Sequence, residues 1–207
     1  MRHYQSADAN LKFSYMKFPE SKIAHHYLDG LLGIEIGAAA HNPFGLNTRN
    51  VDRFDNKDPR YAPYAQEQMR LCGEESQVDI VAPADKLTMF PDKSVDFVVS
   101  SHVLEHCWDP IATVKEWKRV ARKYILIIIP HRDALPSDRE KPITLLTEQA
   151  HRTLGVIPPL DTDDHHTRWT VDSFLGTLQL SGIPTYMVKS WEQDDKVGNG
   201  HMFLITL

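Results

Sequence analysis

Val95-Asp96-Phe97-Val98-Val99-Ser100-Ser101-His102-Val103-Leu104-Glu105-His106 is the stretch that decides the fold of this chain. An apolar run ends at a pair of serines, and a polar, histidine-bearing segment follows at once. Three earlier segments share the design: Gly33-Ile34-Glu35-Ile36-Gly37, Asn50-Val51-Asp52, and Val78-Asp79-Ile80-Val81-Ala82-Pro83-Ala84-Asp85. Each is a short apolar run that stops at a small or acidic residue. Strands of an open α/β sheet present a nucleotide-like ligand to their carboxyl ends in this way.

Outward from these strands the remaining elements follow from local signals. Ser21 to Leu32 reads as a helix with Ser21 as N-cap and Ile23, Leu28, Leu31 and Leu32 on or near one face. Residues 38–48 leave room for only a short helix, and a further helix is expected around Tyr64 to Leu71. A short helix capped by Asp85 is expected before Val95. Asp109-Pro110 is a strong helix start, with Ile111, Val114, Trp117 and Ala121 at helical spacing after it. Tyr124 to Ile129, YILIII, is apolar on both faces and reads as a central strand covered on both sides. Helices are expected at Thr144 to Leu154 and Thr170 to Leu180, and strands at Thr185 to Lys189 and Met202 to Leu207. The Gln193-to-Gly200 turn is too short for a crossover helix, so the last two strands are expected to be antiparallel.

The chain is expected to form one domain over residues 1–207. It has a helical N-terminal segment (1–32) and an insertion on the substrate side (131–170). Lys plus Arg number 23 and Asp plus Glu 28, a net charge of −5. A mildly acidic chain without a basic run lacks the electrostatic footprint of a phosphate-backbone binder, so no nucleic-acid partner is expected. The cysteines, Cys72 and Cys107, make neither a metal-ligand pair by spacing nor a disulfide framework. The N-terminus has no apolar h-region, and Ile125 to Pro130 is far too short to cross a bilayer. No membrane partner and a cytoplasmic location are the expectations, and the oligomeric state, a homodimer included, stays open.

This series of strand ends resembles the class I S-adenosylmethionine-dependent methyltransferases, in their small-molecule, type 11-like branch. The resemblance implies a Rossmann-like, seven-stranded, mostly parallel sheet with one antiparallel strand and helices on both faces. It implies S-adenosylmethionine as cofactor, no metal, and a small-molecule methyl acceptor. On this pattern Glu35, Gly37, Ala38 and Ala39 form the first cofactor loop, where glycine allows close approach and positive φ. Asp52, with Arg53 beside it, stands where the family has its ribose-binding acid, and Ala84, Asp85 and Lys86 where it reads the adenine edge. Ser101 and His102 begin the stretch lining the cofactor sulfur. The loop keeps one glycine where two or three are usual, and Ala121-Arg122-Lys123 replaces the common Pro-Gly-Gly turn. These departures leave open a catalytically idle binding or scaffold protein on the same fold. A nicotinamide-dependent reductase is the other alternative, disfavoured by the absence of a three-glycine phosphate loop and of a Tyr-x-x-x-Lys pair.

Two clusters fall on the expected substrate side: His131-Arg132-Asp133 and Asp161 to Trp169, DTDDHHTRW. They suit a sugar or phosphorylated acceptor, or a divalent cation. An alcohol acceptor must lose a proton as it attacks, a task for a histidine near neutrality. His106, His131, His165 and His166 are the candidates. His102 to His106 also spells H-x-x-E-H, a zinc-protease pattern that requires both histidines on one helical face. Here it leaves a strand directly.

Overall fold

The computed structural model describes residues 21–37, 45–132, 134–160, 162, 165–193 and 200–207. Its elements in chain order are α1 (Ser21–Leu28), β1 (Gly33–Ile36), β2 (Thr48–Asp52), α2 (Ala62–Cys72), β3 (Ile80–Val81), β4 (Val95–Ser101), α3 (Pro110–Val120), β5 (Ala121–Pro130), α4 (Pro136–Arg139), α5 (Leu146–Thr153), α6 (Val171–Leu180), β6 (Val188–Trp191) and β7 (Gly200–Thr206). The sheet order is β3-β2-β1-β4-β5-β7-β6. β1 to β5 run parallel, and β7 is antiparallel to both β5 and β6. The order reverses between β1 and β4, so a crevice opens at their carboxyl ends, the usual ligand position in such sheets.

The alternation along β5 explains why this sheet is buried on both faces. Ile125, Ile127 and Ile129 join Val114, Trp117, Phe174 and Leu178 of α3 and α6 on one side. Leu126 and Ile128 join Ala24 and Leu28 of α1, together with Phe97 and Val99, on the other. Successive side chains point to opposite faces, so an unbroken apolar run is what a doubly covered strand requires. Asp109 caps α3 as its sequence predicts, accepting from the Ala112 amide at 2.9 Å, with Pro110 in the first turn.

Three expectations need correction. The first helix ends at Leu28 rather than Leu32, because Gly30 adopts a left-handed conformation (φ +75°) that stops it. No helix forms between β3 and β4, where Asp85 was expected to cap one; that connection is a run of turns. Its backbone is taken up by α3 instead. Trp117 Nε1 donates to the Ala84 carbonyl at 2.8 Å, the Leu87 amide donates to Glu116, and Arg119 donates to the carbonyls of Leu87 and Phe90. Finally, Thr185–Met187 is a 3₁₀ turn, and strand β6 begins only at Val188.

Candidate active site

A cavity of about 340 Å³ lies at the carboxyl ends of β1, β2 and β4, within the size range of small-molecule sites. Its first wall is Gly37, directly after β1. Gly37 has φ +69°, its amide donates to the Val51 carbonyl at 2.8 Å, and a Cβ built on it would stand 2.2 Å from Val103 Cγ2. Only glycine satisfies both the conformation and the contact. The place of its missing side chain is taken by Val103, which lines the same cavity.

Asp52 closes β2 and lines the same cavity, with Arg53 and Tyr64 beyond it. One Asp52 carboxylate oxygen accepts from the Phe54 amide at 3.3 Å, which holds the side chain in place. Ala84 and Asp85 line the next stretch of wall, on the loop that Trp117 anchors. A glycine, an acid at the following strand end and an acid-bearing loop after the third strand thus face one cavity. Glu35 lies beneath this wall, 3 % exposed within β1, with Thr48 Oγ1 3.5 Å from its carboxylate. Lys86 is exposed and Ser101 is buried at the end of β4, both off the cavity lining. Ala38 and Ala39 lie outside the described residues.

The far wall is built by the H-x-x-E-H stretch. His102 takes φ +56°, rare for a side chain other than glycine. Its amide still donates to the Ile128 carbonyl at 3.0 Å. The chain then turns through the 3₁₀ segment Leu104–His106. The two histidines therefore do not share a helical face, and the zinc-protease arrangement is not formed. Glu105 is 1 % exposed, with His102 Nδ1 3.7 Å from its Oε1. Cys107 also lines the cavity, and burial pushes its thiol up to about 12, so it is not a nucleophile near neutrality.

His165 enters from the distant 165–169 segment. The amides of His166 and Thr167 both donate to the Glu105 carbonyl, at 2.7 and 3.2 Å. Arg152, itself buried, fastens the same segment by donating to the His166 carbonyl, Thr167 Oγ1 and the Trp108 carbonyl. His165 Nε2 thus lies 4.0 Å from Glu105 Oε1, its Nδ1 lies 2.5 Å from Asp138 Oδ2, and its ring packs edge-on to His106.

Among the four histidines considered as bases, His106 and His165 line the cavity. His131 instead pairs with His201, Nδ1 to Nε2 at 2.9 Å. His166 is buried against Trp108, with Nε2 3.2 Å from the Thr162 carbonyl. Neighbouring residues of an extended segment point to opposite sides, so His165 and His166 cannot both face the ligand. Asp161, Asp163 and Asp164, like Asp133, lie outside the described residues. Sequence reasoning did not single out Glu105 or Asp138; Glu105 had a signal in its place within HVLEH, whereas Asp138 reads as an ordinary surface-helix acid.

The model of the family described as "Methyltransferase domain" matches residues 51–129. No curated protein matches the chain. Among solved structures, a Thermotoga maritima S-adenosylmethionine-dependent methyltransferase, described as a possible histamine N-methyltransferase, aligns with TM-score 0.52 and 16% identity over 94% of this chain and 90% of its own. An Aquifex aeolicus counterpart gives TM-score 0.51 at 15% identity, covering 96% and 94%. One from Methanosarcina mazei gives 0.52 at 17%, covering 89% and 96%. At such identities the structural likeness speaks for the fold. The sequence match covers β2 to β5, and the likeness over the rest of the chain shows the fold of the class I S-adenosylmethionine-dependent methyltransferases.

Proposed function

We propose that the chain transfers the methyl group to a hydroxyl of a small polar molecule, a sugar being the leading class. The observation that carries this reading is that one cavity joins Asp52 and Asp85 to His102, Glu105, His106 and His165. Its first half suits the cofactor and its second half the acceptor. Bound S-adenosylmethionine supplies a methyl group on an electrophilic sulfonium.

The chain's own part follows from the residues around that half. Asp52 accepts hydrogen bonds from vicinal ribose hydroxyls. Pro130, Ala134, Leu135 and His165, from or beside the 131–170 stretch, wall the acceptor side and exclude water there. Holding the acceptor in line with the methyl supplies most of the rate. Loss of its proton falls to the imidazole–carboxylate cluster, where the Asp138 contact orients the His165 ring. Carboxylate and imidazole acceptors suit hydroxyls, and Arg53 is the one Lys or Arg side chain on the described wall, which favours a neutral sugar over a phosphorylated one.

The test is transfer of labelled methyl from S-adenosylmethionine to a panel of monosaccharides, sugar phosphates and small amines. Label on a sugar hydroxyl supports the reading. Label on amines alone moves the acceptor class. Cofactor binding without transfer to any of them favours the idle binding protein.

A further inference from the structure

We infer that Glu105, His106 and His165 form a binding site for one divalent transition-metal ion of zinc-like ligand preference, at the acceptor end of the cavity. One ligand atom from each lies within 4.8 Å of the other two. Ligands held about 2.0–2.2 Å from a zinc ion stand roughly 3–3.5 Å apart, so a closure of about an ångström completes the set. Two imidazoles and a carboxylate suit zinc, cobalt, nickel or iron far better than magnesium or calcium, which favour oxygen-only shells.

The surroundings are those of a built site. Glu105 and His106 sit on one 3₁₀ turn, and the segment bearing His165 is fastened to that turn by two backbone hydrogen bonds to Glu105. The Asp138 carboxylate, its side chain 4 % exposed, takes His165 Nδ1 at 2.5 Å. That contact makes Nδ1 a donor to Asp138 and turns Nε2 toward Glu105 Oε1, 4.0 Å away. This separation is too long for a hydrogen bond. A carboxylate behind a ligating histidine is the usual outer support of such sites. With three protein ligands, a coordination position stays open. All three ligands line the cavity, so that position faces the space assigned to the acceptor, whose hydroxyl is itself a metal ligand.

The site's existence stands on these residues alone, and its purpose rests on the methyl transfer proposed above. A bound metal would acidify a coordinated hydroxyl, whose proton would then pass to solvent water rather than to a free imidazole. His165 is then a ligand.

The experiment is titration of the chelator-stripped full chain with Co²⁺ and Zn²⁺, followed by visible absorption and calorimetry, with S-adenosylhomocysteine affinity measured on every protein. The expected result is one Co²⁺ per chain with visible bands, lost in His106→Ala and His165→Gln. Asp138→Asn should weaken affinity about 10–100-fold. Absence of stoichiometric uptake by the wild type, or uptake unchanged in both histidine variants, overturns the inference. Metal binding without S-adenosylhomocysteine binding would sink the methyl-transfer reading and leave the site standing. The converse result would sink the site alone.

Discussion

Gly37→Ala separates backbone strain from steric conflict at the cavity wall, and the structure sets the size of each. At φ +69° an added Cβ costs about 1–2 kcal/mol for the left-handed conformation alone. The new methyl would also sit 2.2 Å from Val103 Cγ2, well inside carbon–carbon contact distance. Overpacking of that kind costs about 1–3 kcal/mol more. Val103→Ala removes the obstructing methyl; the remaining Val103 Cβ lies 3.5 Å from the new atom, an ordinary contact. The two substitutions should therefore couple favourably by about 1–3 kcal/mol in a double-mutant cycle. Urea unfolding of the four proteins measures this directly. Because Gly37 also lines the cavity, S-adenosylhomocysteine affinity should fall at least tenfold in both Gly37→Ala proteins, even where stability recovers. Strict additivity in stability would refute the assigned contact. Unchanged affinity would remove Gly37 from the cofactor wall.

Three further outcomes follow from other contacts. Asp96 is held near 2, below the ordinary 3.8, first by Arg122 and then by Lys123 and the Leu32 amide. A depressed carboxylate contributes its stability above the unfolded value and loses it as pH falls from about 4 toward 2. With Arg122 and Lys123 half exposed, the contribution is about 1 kcal/mol, and the gap between wild type and Asp96→Asn should shrink as pH falls from about 4.5 toward 2 in urea unfolding. Arg152→Met removes the donor that fastens His166, Thr167 and Trp108, and should cost about 3 kcal/mol by the same assay. His165→Ala should leave S-adenosylhomocysteine affinity within threefold while transfer falls about 10²–10⁴-fold in a labelled-methyl assay.

How much of this was legible in the chain depended on where the determining contacts lie. Strands β4 and β5 are read from composition, since a continuous apolar run admits little else once a capped helix is recognised at Asp109-Pro110. The turns after β3 were misread because their conformation is set by Trp117, Glu116 and Arg119, some thirty residues downstream. His165 and His166 are adjacent and chemically equal in sequence. Two backbone bonds to Glu105 and the Arg152 anchor decide which of them faces the cavity. Asp138 carried no signal, because Pro-Ser-Asp-Arg has the composition of a surface turn and becomes a histidine partner only through tertiary placement.

Calorimetric titration with S-adenosylhomocysteine, on the wild type and Asp52→Ala with NADH as a control ligand, tests the cofactor half of the cavity most directly. Micromolar binding is predicted for the wild type, weakened about 10–100-fold in Asp52→Ala by loss of the charged acceptor for the ribose hydroxyls. A folded wild type that ignores S-adenosylhomocysteine, or that binds NADH in its place, would contradict the account.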